Sequence, residues 1–447
     1  LWSRSISGEN ILLGKCTITY TSNNKTTECD EYTYDTTWYG STIPSQNNWV
    51  CDNEIYQANV FAYMKISETI GSLVFGWFGD TYGRKPTYII SLGLLVFGRV
   101  LSVISSYSLP FFVLGCIIAA FPAYSVLQSI ALISVESSSH KRRSKITKYQ
   151  LIASSFGTCT MPLLFWWLRD WKPFLIITTL TQLPYFVFSW KMIESPEWLW
   201  VNTKSKSCIQ QLKRIGKVNN SNLEYETEAE ILTQSEIAKK EDLGLRDLFS
   251  SKELAVSTML QLFIWISVTM SYSVNFISSG EKSDGNPFLD FTWQALAEVP
   301  AHFSAAWLVD HLGRRYTGVL SFGLTSILWI IIDLFRWLHY GWISTCLAVV
   351  NRFSITIAYY TINLLNMELY PTRLRQSGMS LGNVISGGAA SVAAYVFYGH
   401  RYGTFVSSAI LSTVSILGLF SSYYLPETLN AKLPETLEEA CEFGKRA

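Results

Sequence analysis

Glu298 and His302 stand one helical turn apart in a stretch that is otherwise apolar, on either side of Pro300. Residues four apart share a helix face. The carboxylate and imidazole could together attract a cation or hand on a proton, because imidazole titrates near neutral pH. A structural pair beside a proline kink is the other reading of this spacing. Lys65 and Glu68, three apart, pose the same alternative, with an internal salt bridge the simpler outcome. Trp265 and Tyr272 are seven apart and so lie on one face, while Tyr359 and Tyr360 neighbour Asn363. Aromatic faces hold organic ammonium groups at about 0.5–2 kcal/mol each, or else they simply pack. Gln150 completes this set of candidate binding residues. There is no Gly-Lys-Ser/Thr loop for phosphate, no His-Glu-x-x-His and no Cys-x-x-Cys, and the five histidines are scattered. Enzymatic chemistry, a metal and a cofactor are therefore not expected.

These groups sit inside runs that must be helical and must be buried. Hydrophobic residues make up 49% of the chain and charged residues 15%, with a net charge of +1, so nucleic acid is not an expected partner. A helix crossing about 30 Å of hydrocarbon needs roughly 20 apolar residues, and it satisfies its own backbone groups. Runs of that length recur at 56–79, 86–106, 109–135, 146–168 and 173–193, and after a polar insert at 254–277, 287–309, 317–338, 342–365, 374–398 and 404–425. Ionisable side chains within such runs cost a few kcal/mol, so they face a cavity or pair with one another. Eleven is odd, and the chain opens at Leu1 in a polar segment, so one further span is expected upstream, completing two sets of six. The organisation read from this is an outer loop at 1–53, a helix bundle at 54–193, a linker at 194–253, a second bundle at 254–425 and a tail at 426–447.

Lys and Arg collect at one end of the spans: Arg84 and Lys85, Lys141 to Arg143 with Lys145, Arg314 and Arg315, Arg373 and Arg375. The positive-inside rule makes that end, and the C-terminus, cytoplasmic. Segment 1–53 is then outside, where Asn24-Lys25-Thr26 is a glycosylation acceptor and Cys16, Cys29 and Cys51 meet oxidising conditions, one of the three being left over.

The chain also repeats itself. GWFGDTYGRKP at 76–86 returns as AWLVDHLGRR at 306–315, setting Asp80 over Asp310, Gly83 over Gly313 and Arg84 over Arg314 at an offset of 230. Glu136 with Arg143 returns as Glu368 with Arg375 at an offset of 232, and Glu194 as Glu427 at 233. Three markers in register point to internal duplication of a multi-span unit, the design of solute carriers. In Asp-x-x-Gly-Arg a turn-permitting glycine stands between an acid and a base at helix ends, and the other markers also place charges at helix ends. The ten residues of the first two markers read either as charged latches that join helices in one state and release in another, or as topology signals alone.

Taken together, these residues resemble the major facilitator superfamily and, more narrowly, its organic cation and organic anion transporter family. The motifs are YDTTWYGSTIPSQNNWVCD at 34–52, GWFGDTYGRK at 76–85, ESPEWL at 194–199, GNPFLDF at 285–291 with Ala297 to Ala301, Glu368-Leu369-Tyr370-Pro371-Thr372, and LPETLNAKLPET at 425–436. The resemblance implies an all-α polytopic membrane protein of two six-helix bundles that acts as a monomer in the plasma membrane. It implies alternating-access transport of a small organic ion, a cation or zwitterion before an anion, with a non-transporting receptor as the remaining alternative. It also places Trp265, Tyr272 and Glu298 on the substrate path. The sequence departs from the family pattern at Glu197 and Gly115, where arginine is usual, and at Gly387, where relatives carry an acid or a base.

Overall fold

The computed structural model describes residues 11–13, 16–20, 25–29, 32–138, 140–202, 204–220, 248–279, 285–370, 372–401, 403 and 405–429. Asn24 and the side chains of Arg143 and Arg375 lie outside the described residues. Ahead of the helices, β1 (Ile11–Leu13), β2 (Thr17–Tyr20) and β3 (Lys25–Glu28) form an antiparallel sheet in that order, with Ile18 opposite Thr27 and Thr19 opposite Thr26. Threonine and isoleucine suit a half-buried pleated strand, and this sheet lies outside an otherwise helical body. A Cys16–Cys51 disulfide ties it to the start of the first long helix, and Cys29 is unpaired.

After the short α1 (Ile43–Gln46) come α2 (Ile55–Tyr82), α3 (Arg84–Ile104), α4 (Leu109–Ala120), α5 (Ala123–Glu136), α6 (His140–Leu168), α7 (Trp171–Leu180) and α8 (Leu183–Lys191). The insert contributes α9 (Pro196–Val201) and α10 (Ser205–Val218). The second series is α11 (Lys252–Ser278), α12 (Pro287–Leu296), α13 (Glu298–Leu312), α14 (Arg314–Trp337), α15 (Gly341–Leu369), α16 (Thr372–Tyr398) and α17 (Val406–Tyr424).

Three of the predicted spans are each two helices in line, and proline is the cause. Pro122, Pro184 and Pro300 each lack an N–H and crowd the carbonyl four residues earlier, and the breaks fall at Phe121, Thr181 and Ala297. Eight of the described helical stretches are long and apolar enough to cross a bilayer, the α4–α5 pair counting as one of them. The remaining three predicted spans are α2, which carries Lys65, Glu68 and Asp80 within its 28 residues, and the pairs α7–α8 and α12–α13.

Packing repeats as the sequence does. In the first half α3 rests on α4–α5 and on α7–α8; in the second, α14 rests on α15 and α17. The halves meet where α2 packs on α16 and where α6 packs on α12 and α13. Since α2 answers to α12–α13, and α6 to α16, these two contacts are one contact used twice. Close approach depends on small residues: a Cβ on Gly115 would come within 2.6 Å of the Ser102 backbone nitrogen, so the α3–α4 contact has no room for the arginine usual there. At Gly387 a side chain would run into Thr69 of α2. The charged side chain of the family pattern would therefore not fit at this point, where the two halves press together.

Candidate substrate cavity

Between the halves lies a cavity of about 370 Å³. The first half supplies Lys65, Glu68 and Thr69 from α2, Tyr124 from α5, and Ser154 and Ser155 from α6. Facing them are Trp265 and Tyr272 from α11, Glu298 and His302 from α13, Tyr359 from α15 and Asn383 from α16. Tyr359 meets Trp265 edge-on at 6.1 Å between ring centroids and lies 6.4 Å from Tyr272, so three rings make one aromatic wall. Across the cavity Tyr124 of the first half and Asn383 of the second both contribute to the lining.

Both carboxylates are already paired. The Lys65 ammonium lies 2.8 Å from Glu68, with both side chains about one-third or less exposed. Glu298 is bound by Arg352, whose Nε donates at 2.8 Å and whose Nη2 lies at 2.6 Å. Arg352 is 1% exposed. Its guanidinium lies 4.0 Å from the centre of the Tyr272 ring and donates to Asn275 Oδ1 at 3.3 Å. The Tyr272 hydroxyl donates to Glu298 Oε1 at 3.1 Å, and Ser155 reaches the other oxygen at 3.4 Å from the opposite half. A buried arginine of this kind needs both its carboxylate and its remaining acceptors, and removing one partner typically costs about 3–5 kcal/mol. Arg352 thus neutralises Glu298 and fills one face of Tyr272.

Of the candidate binding residues, Trp265, Tyr272, Glu298, His302, Tyr359 and Glu68 share this cavity. Three others do not line it. Tyr360 turns about 100° away from Tyr359 on the same helix and packs with Ala301, Ala305 and Ile357. The Asn363 amide bonds back to the Tyr359 carbonyl at 2.7 Å. Gln150 precedes the residue whose side chain reaches the cavity, Leu151. Arg352, Tyr124 and Asn383 were not anticipated. For Arg352 the signal was available: an arginine within an apolar run must have an acid to meet.

The repeated turns are one local structure. Gly83 (φ 115°) and Gly313 (φ 86°) both sit in the left-handed region that favours glycine, between two abutting helices. Glu194 accepts from the Arg84 and Lys85 N–H groups, the Arg84 bond being 3.0 Å, and Glu427 accepts from Arg314 and Arg315 at 3.0 Å each. Each glutamate thus satisfies otherwise orphaned donors at a helix N-terminus and meets its dipole. Arg84 contacts Asp80 at 2.6 Å and Glu136 at 3.6 Å, whereas Arg314 grips Glu368 with two bonds of 2.9 and 2.7 Å. Asp310 is exposed, with the Arg314 fork directed to Glu368 instead.

Fold and cavity together define a polytopic helical carrier of the major facilitator type. The profile of the sugar (and other) transporter family matches residues 6–439, and the chain belongs to that family. It is 25% identical to an organic cation transporter protein of Drosophila melanogaster, over 95% of this chain and 78% of that one. It is 23% identical to the human organic cation/carnitine transporter 2, over 90% and 72%. Among solved structures, the partially occluded inward-open xylose transporter XylE of E. coli superimposes with a TM-score of 0.68 at 14% identity, covering 84% of this chain and 89% of that one. The fold is therefore shared, and transporters named for organic cations and carnitine are among the relatives by sequence.

Proposed function

We propose that this transporter carries a small organic cation or zwitterion by alternating access, and that the cavity between its halves is the binding site. The observation that carries this reading is the placing of Glu298 at the edge of the Trp265, Tyr272 and Tyr359 wall, inside the membrane-spanning body. A carboxylate beside aromatic faces is the chemistry that recognises an ammonium group. Because Arg352 and Lys65 already hold the two acids, an entering cation competes with a protein cation for each. A zwitterion can exchange partners, its ammonium meeting Glu68 and its carboxylate meeting Lys65, on the more exposed of the two pairs. The names of the fly and human relatives support the same substrate class.

The setting that goes with this function is a monomer in the plasma membrane, with the basic turns and the C-terminus cytoplasmic, and without enzymatic turnover. A panel of radiolabelled quaternary amines, carnitine-like zwitterions and carboxylates, taken up by cells expressing the protein and its Glu298→Gln variant, tests the reading. Uptake of ammonium compounds that falls at least about tenfold in the variant is the expected result. Uptake restricted to carboxylates, or unchanged in Glu298→Gln, contradicts it.

A further inference from the structure

A second cavity, about 300 Å³, lies wholly within the second half, towards the end of α14 opposite the basic turns. Its polar lining is Asp333, Asn275, Ser278, Ser407 and Ser408, with Arg336 also at its edge. Asp333 is its deep charge, with a side chain 11% exposed, while Arg336, 3.7 Å away, is 48% exposed. The three serine hydroxyls spend their protons on backbone carbonyls, Ser278 on Asn275, Ser407 on Val396 and Ser408 on Phe405. Their oxygens therefore remain as acceptors. Trp329 and Phe397 add aromatic surface to a wall otherwise built from Val274, Ile332, Ala348 and Leu411. A buried carboxylate, hydroxyl acceptors and ring faces select a positive guest, and the apolar remainder suits a short hydrocarbon group.

The two cavities are separated by one arginine. Asn275 lines the second cavity and accepts from Arg352, and Arg352 holds Glu298, which lines the first. We propose that the second cavity is a separate binding site for a small organic ammonium ion, held by Asp333 and reached past Arg336. Its occupant and the Glu298–Arg352 pair draw on the same asparagine. The site does not depend on the transport reading, because binding here requires no movement of the two halves.

Charge-selective labelling tests it. Ala348 lines this cavity, so Ala348→Cys is placed in the whole chain, with Cys29, Cys116, Cys159, Cys208, Cys346 and Cys441 replaced by serine. The thiol is then reacted with a trimethylammonium-ethyl and a sulfonatoethyl methanethiosulfonate. The cationic reagent is expected to react at least about tenfold faster after correction for intrinsic reactivity, since a carboxylate in a low-dielectric cleft concentrates cations. Asp333→Asn should bring the ratio towards one. Arg336→Gln, which keeps the acid, should raise it, and provides a reading even if Asp333→Asn does not fold. Equal rates in the parent, or a faster anionic reagent, overturn the assignment.

Discussion

The two Asp-x-x-Gly-Arg turns have the same backbone and the same glutamate cap, yet they spend their arginine differently. In the second half Arg314 gives both of its forked donors to Glu368, which also takes the Thr428 hydroxyl, and all three groups are largely buried. In the first half Arg84 divides itself between Asp80, two-thirds exposed, and a more distant Glu136. Among the described residues Arg84 Nε and Glu136 Oε2 have no hydrogen-bond partner, and an opening of about 140 Å³ lies beside them. Bidentate, desolvated pairs are strong, and exposed single contacts are weak. The two halves thus share the turn, while the ion pairs around it differ. The pair in the second half is bidentate and buried, and the pairing in the first is more exposed and more distant.

The largest effect expected is from breaking the bidentate pair. Arg314→Ala or Glu368→Ala should cost about 3–5 kcal/mol, seen as a marked drop in the apparent melting midpoint of the purified protein. Arg84→Ala should cost markedly less, and equal losses would erase the distinction between the halves. Next, Gly83→Ala and Gly313→Ala should each cost about 1–3 kcal/mol, because an added Cβ would lie 2.5 Å from Glu194 or Glu427 respectively. Here the two halves should respond alike. Smaller still, a double-mutant cycle on Arg84 and Glu136 should give a coupling of about 0.5–1 kcal/mol, against at least about 2 kcal/mol for Arg314 and Glu368. Smallest, Asp80→Asn should change stability by no more than about 0.5 kcal/mol, as for an exposed ion pair.

Much of this was legible in the residues alone. Apolar run length marks each span, because a helix in hydrocarbon has no alternative way to satisfy its backbone, and all eleven predicted runs correspond to helices or in-line helix pairs. The repeat was legible because a positive-φ turn demands glycine at one fixed place. Cavity residues were partly legible because a charge in a span must be paired or solvated, which marked Glu68 and Glu298. What periodicity does not carry is the partner. Arg352 is 54 residues from Glu298 on another helix, and only the packing of α13 on α15 brings the two together. Nor does the sequence say which of two adjacent tyrosines faces inward. The rotation of α15 about its axis decides that, and it selects Tyr359.

The account rests on two halves that move against each other around one cavity. Asn59 of α2 and Tyr395 of α16 meet at 3.0 Å, and Arg401 reaches Asp52 and the Cys51 carbonyl, at the end opposite the basic turns. The most direct measurement is uptake of a labelled quaternary ammonium or carnitine-like compound by an Asn59→Cys/Tyr395→Cys variant, before and after the two thiols are joined by a short bismaleimide. Normal uptake beforehand and loss of nearly all of it once the halves are tied is the predicted result. Undiminished uptake with the cross-link complete would contradict the account.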